Sequence, residues 1–196
     1  MRKEQYEWIH SWQDENFNAD LPRVLLIGDS ITHNYQEIVR NKLKGKFYVD
    51  YVSTSYGIDA TIYRQLVLNF AKYNHYDLIQ FNFGLHAKHL SKSSYKKKVA
   101  DIVKKLQANA KVVLANTTVV YKQGNRVFDK SWMKRVEERN QAMEELSKEL
   151  GVKIDDLNKV SQDIPKEMRY EDGTHYLVEG YTMLADQVVD FIMNEI

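Results

Sequence analysis

Short apolar runs alternate with longer amphipathic segments along the chain. Each run is too short for a buried helix and is bounded by turn-forming residues, which predicts a strand that is covered on both faces. The first run, at residues 24–27, follows Pro22 and ends at Gly28. Further runs lie at residues 47–52, 77–83, 111–117 and 152–155. The pattern therefore predicts five strands.

The segments between the runs carry apolar residues at helical spacing. Gly45 and Gly151 follow two of these segments as predicted helix stops, and Ser91 precedes a third as a predicted N-cap. The last helix is predicted to begin near Glu179. Because strands that alternate with helices form parallel sheets, we expect a three-layer α/β/α sandwich with a five-stranded parallel sheet in flavodoxin-like order.

The N-terminal segment carries Trp8, Ile9 and Trp12, whose spacing favours a helix. The chain has 196 residues, of which 43% are hydrophobic, and this suits one sizeable core. We therefore expect a single domain over residues 1–196, with an N-terminal helix within residues 1–20 packed on it.

Composition excludes several classes of function. The 28 basic and 27 acidic residues leave a net charge of +1, which gives no basis for a nucleic-acid partner. The chain has no cysteine, so it has neither a thiolate nucleophile nor cysteine-bound zinc. No apolar segment reaches the length of a signal peptide or a membrane span, so we expect a cytoplasmic location and no membrane partner. Composition does not indicate the oligomeric state.

A small polar cluster, Asp29 and Ser30, directly follows the first predicted strand. The carboxyl ends of parallel strands face the ligand crevice, which makes Ser30 the first nucleophile candidate. A serine needs a base that takes its proton, and His175 precedes the last helix. Asp172 lies three residues before His175, and Gly173 between them allows a tight turn that brings carboxylate and imidazole together. These residues are the candidates for a catalytic triad.

Spacing alone leaves other interpretations open. An Asp-x-x-His segment also occurs in metal sites, and a metal-dependent hydrolase would use Asp29, His86, Asp172 and His175 as ligands. A histidine before a helix is as often a capping or core residue as a catalytic one. The turn after the first strand has only Gly28 and no glycine-rich phosphate cradle, so we expect no nucleotide or flavin cofactor.

Residues 28–32, Gly-Asp-Ser-Ile-Thr, together with Asp172-x-x-His175, resemble the first and last sequence blocks of the SGNH/GDSL hydrolases, a family of serine esterases and lipases. The resemblance implies that Ser30 is the nucleophile, His175 the base and Asp172 the residue that orients it. It implies no metal and no cofactor. The two blocks are specific as a pair, and the resemblance spans the chain from Val24 to the last helix.

The resemblance also implies an oxyanion hole made by the backbone N–H groups of Ser30 and Gly57 with a side chain after the third strand. The family usually has Gly-x-Asn-Asp there, whereas this chain has Gly84-Leu85-His86, as in a bacterial branch of the family. A neutral imidazole also has one N–H to donate, so we assign this role to His86. Asn82 is the rival donor.

The predicted function is hydrolysis of short-chain, acetyl-like esters, with carbohydrate esters among the candidate substrates, through an acyl-enzyme on Ser30. No long apolar surface suits a fatty acyl chain, and the many aromatic residues include candidates for stacking on sugar rings. Asp29, His33 and Asn82 are candidate substrate-binding residues, and the polar loop at residues 121–130 is expected to open on the same rim as Ser30. A non-catalytic binding protein and an acyltransferase that uses the same serine are the alternatives.

Overall fold

The computed structural model describes residues 5–124 and 127–196. Strands and helices alternate along most of the chain, as the pattern predicts. The strands are β1 (Ile9–Trp12), β2 (Arg23–Gly28), β3 (Tyr48–Thr54), β4 (Leu78–Asn82), β5 (Lys111–Ala115) and β6 (Ile154–Asp155). The helices are α1 (Ser30–Leu43), α2 (Thr61–Tyr73), α3 (Lys92–Leu106), α4 (Lys130–Leu150), α5 (Leu157–Asp163) and α6 (Val178–Glu195), and a 3₁₀ turn covers Lys166–Met168.

The strands form one sheet in the order β1-β3-β2-β4-β5-β6. The pairs between β3, β2, β4, β5 and β6 are all parallel, which is the flavodoxin-like order of five strands. The predicted α/β/α sandwich is thus confirmed, with one further strand at its edge. That strand, β1, pairs antiparallel with β3.

The predicted N-terminal helix is wrong, because residues 9–12 form strand β1. Trp8 and Trp12 are four residues apart, and an even spacing also places two side chains on one face of a strand. Without β1, strand β3 would expose a row of unpaired backbone N–H and C=O groups at the edge of the sheet. Pairing with that edge, together with the stacking of Arg40 on the Trp12 ring at 4.4 Å, outweighs the helical tendency of this segment.

Two hydrophobic clusters cover the two faces of the sheet. Along β2, Val24 and Leu26 belong to the cluster under α1, α5 and α6, whereas Leu25 and Ile27 belong to the cluster under α2, α3 and α4. All four side chains are at most 1% exposed, which explains why residues 24–27 are all apolar. No helix among the described residues is long and apolar enough to cross a membrane.

The helix boundaries follow the predicted stop and start residues. Ser91 caps α3 by accepting a hydrogen bond from the backbone N–H of Ser94, and Gly151 ends α4 with a left-handed φ of 64°. Helix α5 was not predicted, because its seven residues are too few to show a periodic pattern.

Candidate active site

Strand β2 and helix α1 position Ser30. The strand ends at Gly28, and Ser30 is the first residue of the helix, so its hydroxyl lies at the carboxyl edge of the sheet. Asp29 is the N-cap, and its Oδ1 accepts a hydrogen bond of 3.0 Å from the Ile31 N–H. The Asp29 side chain is 1% exposed. The structure therefore places Asp29 beneath the turn, where it stabilises the start of α1.

A tight loop before α6 carries Asp172 and His175. Asp172 Oδ1 accepts hydrogen bonds from the backbone N–H groups of Thr174 at 2.8 Å and His175 at 2.9 Å. Gly173 directly follows Asp172 and has a φ of 80°. A Cβ at this position would stand 2.1 Å from the Tyr121 carbonyl oxygen. Only glycine fits there, because the backbone conformation and the close neighbour both exclude a side chain.

The three predicted triad residues form one hydrogen-bonded chain. His175 Nδ1 is 2.6 Å from Asp172 Oδ2, and His175 Nε2 is 2.8 Å from Ser30 Oγ. An ionised carboxylate only accepts hydrogen bonds, so Nδ1–H donates to Asp172 and Nε2 is left to accept from the Ser30 hydroxyl. This is the tautomer in which the imidazole can act as a base toward the serine.

The electrostatics of Asp172 favour its ionised form. Partial burial raises the pKa of the Asp172 carboxyl, but hydrogen bonds from the imidazole and backbone of His175 and from the backbone of Thr174 outweigh burial. The net pKa lies below the ordinary value of 3.8. Asp172 therefore carries its negative charge at neutral pH and can stabilise a positive charge on His175.

The segments at residues 121–124 and 127–128 support the loop that carries Asp172 and His175. Tyr121 pairs with Phe128 in an antiparallel bridge, and their rings stack with centroids 4.5 Å apart. The Tyr121 N–H donates to the Gly173 carbonyl at 2.8 Å, and the Gly124 N–H donates to the Glu171 carbonyl at 3.0 Å. The predicted loop thus adjoins the Asp172–His175 loop, although its residues Asn125 and Arg126 lie outside the described part of the chain.

The candidate oxyanion donors lie on three neighbouring loops. Ser30 N is at the start of α1, Gly57 follows β3, and His86 follows β4, with its ring centroid 5.8 Å from that of Phe83. The N–H groups in the first turn of a helix have no partner within the helix, so Ser30 N–H suits this role. Asn82 is 3% exposed, and its amide donates to the Asn116 carbonyl at 3.3 Å. One of the two amide N–H donors of Asn82 is therefore engaged with Asn116, and the assignment of the side-chain donor to His86 stays a prediction.

His33 lies one helical turn after Ser30, within a group of aromatic rings. Its ring stacks on that of His10 with centroids 4.4 Å apart, and the Trp8 ring is 5.7 Å away. Burial lowers the pKa of His33, and the neighbouring His10 lowers it further. His33 is therefore neutral at neutral pH, and the structure places it against strand β1 rather than in the hydrogen-bonded chain with Ser30.

The metal-site interpretation needs at least three ligands that converge on one point. Within residues 5–124 and 127–196, no group of three or more histidine or acidic side chains has that arrangement. Asp172 and His175 instead bond to each other, and Asp29 caps α1.

Several solved structures share this arrangement of strands and helices. A member of the lipolytic protein G-D-S-L family from Veillonella parvula is similar with a TM-score of 0.69 at 16% identity, over 87% of this chain and 98% of the other. A carbohydrate acetylesterase family member from Sinorhizobium meliloti is similar with a TM-score of 0.71 at 12% identity, over 89% and 99%. The catalytic domain of the Streptococcus pneumoniae peptidoglycan O-acetyltransferase A is similar with a TM-score of 0.68 at 18% identity, over 89% and 94%.

At such low identities the likeness establishes the fold. The chain has the SGNH/GDSL hydrolase fold, which confirms the predicted resemblance to that family at the level of structure. No protein-family model and no curated protein matches the sequence.

Sequence reasoning missed two features near the site. Trp8 lies at the carboxyl end of β3, where its carbonyl accepts a 2.6 Å hydrogen bond from the Thr54 hydroxyl. Arg139 is buried under the loop that carries His86. Its guanidinium donates to the Ala87 and Leu90 carbonyls. Arg139 lies three residues after Val136 and four before Met143, so a charged residue on the apolar stripe of α4 was the available clue.

Proposed function

We propose that this protein is a serine ester hydrolase that acts on short-chain, acetyl-like esters. The observation that carries the proposal is the unbroken hydrogen-bonded chain from Ser30 Oγ through His175 to the Asp172 carboxylate. Hydroxyl, imidazole and carboxylate in this order are the groups that acyl transfer through a serine requires.

In the proposed reaction, Ser30 Oγ attacks the ester carbonyl carbon while His175 Nε2 takes the hydroxyl proton. Asp172 stabilises the imidazolium that forms, because its ionised carboxylate faces Nδ1. The N–H groups of Ser30, Gly57 and His86 hold the oxyanion of the tetrahedral intermediate. Nε2 then gives its proton to the departing alcohol, which leaves an acyl group on Ser30. Water, activated by the same imidazole, releases the acid and restores the enzyme.

Two observations support a short acyl group. The structural neighbours include a carbohydrate acetylesterase family member and an O-acetyltransferase domain, and both names concern the acetyl group. Ser30 is also partly exposed at a helix start, on a rim formed by the loops after β2, β3 and β4, where a small ester can reach it. Acetyl esters of small molecules or carbohydrates are therefore the proposed substrates.

The first experiment is labelling with a fluorophosphonate, followed by peptide mass mapping. We expect one adduct, on Ser30, in the wild-type protein, and none in Ser30→Ala. In His175→Ala the rate of labelling should fall by about 10³-fold or more, since the serine loses its base. His75→Ala is the matched control, because His75 is exposed and precedes β4 at the opposite edge of the sheet. This control should label at the wild-type rate.

The substrate class is tested with p-nitrophenyl acetate and octanoate. The acetyl ester should have a kcat/KM at least tenfold higher, because the proposed site stabilises the transition state of a short acyl group only. A failure of Ser30 to label would overturn the serine mechanism and leave a ligand-binding protein of the same fold. Faster turnover of octanoate would overturn the proposed acyl length.

An acyltransferase is the second candidate, because one structural neighbour is named as an O-acetyltransferase and the acyl-enzyme is common to both reactions. Product analysis with a competing sugar alcohol separates the two. Release of acetate at an unchanged rate supports hydrolysis, whereas transfer of the acetyl group to the sugar at the expense of acetate supports the transferase.

A further inference from the structure

Arg139 is a buried positive charge in helix α4. The residue is 1% exposed and lies among the apolar side chains that α4 presents to the core, such as Val136 and Met143. Its Nε and one of its terminal nitrogens have no hydrogen-bond partner among the described residues. Burial lowers the pKa of Arg139 from its ordinary value, which reflects the loss of hydration around its charge.

Burial of an arginine in this way is energetically unfavourable. An ion removed from water costs several kcal/mol unless a partner compensates for it, and an apolar side chain would pack at this position without that cost. Within the described residues the structure records no ion pair between Arg139 and a carboxylate. The position of Arg139 therefore calls for a role that an apolar residue cannot fill.

The remaining terminal nitrogen of Arg139 holds the loop that follows β4. It donates to the Ala87 carbonyl at 3.2 Å and to the Leu90 carbonyl at 3.0 Å. The guanidinium also lies 4.2 Å from the centre of the Tyr95 ring, and the Tyr95 hydroxyl donates to the Phe83 carbonyl at 2.5 Å. Tyr95 thus binds the start of the loop at Phe83, and Arg139 binds its later part at Ala87 and Leu90.

The loop that follows β4 has an unusual backbone conformation at Ala87. Ala87 has a left-handed φ of 58°, which is unfavourable for a residue with a side chain and persists only where the surroundings impose it. The Ala87 carbonyl accepts a further hydrogen bond of 3.0 Å from the Leu90 N–H, which closes the turn. The fixed Ala87 directly follows His86.

The same loop adjoins the second candidate oxyanion donor. A Cβ placed on Gly57 would stand 3.0 Å from the Ala87 Cβ, so the two loops are in close contact there. A displacement of Ala87 would consequently move His86 through the chain and Gly57 through this contact. Both candidate donors therefore lie beside one residue, Ala87.

We propose that Arg139 is a positioning residue for the oxyanion hole: its hydrogen bonds to the Ala87 and Leu90 carbonyls hold the loop that places His86 and bears on Gly57. This inference rests on the proposed function for its kinetic consequence, whereas its structural part concerns the loop alone. Arg139 acts through other residues and does not touch the substrate.

The kinetic test compares Arg139→Met with Arg139→Lys. The methionine variant keeps the volume but loses the donors, so we expect kcat to fall by about 10- to 100-fold with KM changed less than threefold, as for lost transition-state stabilisation. The lysine variant keeps one charged donor. Its decrease in log kcat should therefore be at most two thirds of the decrease seen for Arg139→Met. Met143→Ala is the control, because it creates a core cavity in the same helix and leaves the hydrogen bonds from Arg139 to the Ala87 and Leu90 carbonyls in place.

A double-mutant cycle with His86→Ala shows whether Arg139 acts through His86. In the His86→Ala background, Arg139→Met should lower kcat by a clearly smaller factor than in the wild-type background, because one of the two donors that it positions is already gone. Equal effects of Arg139→Met in both backgrounds would overturn the proposed route through His86.

Amide hydrogen exchange tests the structural part without any activity. In Arg139→Met the Leu90 amide should exchange at least tenfold faster, while the amides of β2 remain protected, and Arg139→Lys should reverse much of the change. Unchanged exchange at Leu90, or the same change in Met143→Ala, would overturn the proposal even if the wild-type protein proved inactive. Failure of the wild-type protein to label at Ser30 would instead count against the proposed function alone.

Discussion

Two aspartates, Asp172 and Asp155, show how differently one type of side chain behaves at the crevice and in the core. Asp172 is 40% exposed at its side chain and accepts hydrogen bonds from an imidazole and two backbone N–H groups. Its pKa lies below the ordinary value. Asp155, at the end of β6, is completely buried, and burial raises the pKa of its carboxyl to about 7.

The surroundings of Asp155 contain amides where those of Asp172 contain an imidazole. Gln80 donates to Asp155 Oδ2 at 2.7 Å, and Gln187 donates to Oδ1 at 2.8 Å. The Tyr35 hydroxyl donates to Gln80 Oε1 at 3.0 Å and extends this network to α1. Two amide donors do not offset the loss of hydration, so the pKa of Asp155 is raised.

The comparison indicates which carboxylate suits the proposed triad. A carboxylate that must remain charged beside an imidazole needs several N–H donors and some contact with water, as Asp172 has. The Asp155 network joins β4, β6 and α6 and serves the stability of the sheet. The substitution of Asn for each aspartate should therefore affect different properties of the protein.

The largest expected effect is that of Asp172→Asn. An amide at this position favours the wrong tautomer of His175 and does not stabilise the imidazolium, so kcat/KM should fall by about 10³- to 10⁴-fold. The measurement is initial-rate kinetics on the acetyl ester. Thermal unfolding should change little, because the side chain is partly exposed. A loss of less than tenfold would contradict the role of Asp172.

Asp155→Asn should affect stability and leave activity within about threefold. Because the folded pKa is raised from 3.8 to about 7, the folded state retains a proton that the unfolded state loses. The stabilising contribution is complete below pH 4, declines as the pH rises toward 7 and stays absent above it. The shift corresponds to at most roughly 4 kcal/mol.

This pH dependence is measured by urea unfolding of both proteins between pH 4.5 and 8. The free energy of unfolding of the wild type, relative to Asp155→Asn, should decrease as the pH rises through this range. A constant difference would show that Asp155 titrates alike in the folded and unfolded states.

His86→Ala sharpens the comparison within the crevice. If His86 donates to the oxyanion, kcat should fall by about 10²-fold while KM changes little, since the bond forms fully only in the transition state. His86→Asn keeps a side-chain N–H and should recover part of the rate. Equal rates for the alanine and asparagine variants would exclude a donor role for this position.

The smallest expected effect is that of Phe128→Ala, beside the loop that carries Asp172 and His175. Phe128 stacks on Tyr121, whose N–H holds the Gly173 carbonyl, so its loss should loosen the loop that carries the triad. Loss of an aromatic pair amounts to about 1 kcal/mol, so kcat/KM should fall by at most about fivefold. Val127→Ala is the control, because Val127 is the exposed neighbour and takes no part in the stack.

Much of the fold was predictable because buried parallel strands leave a simple pattern in the sequence. The run at residues 24–27 and the capping residues Ser91 and Gly151 indicate elements whose boundaries depend on local chemistry. The segment with Trp8 and Trp12 was not predictable in this way, because its spacing fits both a helix and a strand. The free edge of β3, a feature of the folded sheet, decides between them.

The candidate site also has some features that the sequence predicts and others that only the structure shows. The sequence by itself determined the residue types, namely a serine at the end of a buried strand and an aspartate three residues before a histidine, since these depend on local order along the chain. Only the tertiary structure decided that His175 Nε2 lies 2.8 Å from Ser30 Oγ and that Arg139 holds the loop of His86. The partners in these contacts can be more than a hundred residues apart, and their geometry arises from the packing of helices on the sheet, which no local pattern records.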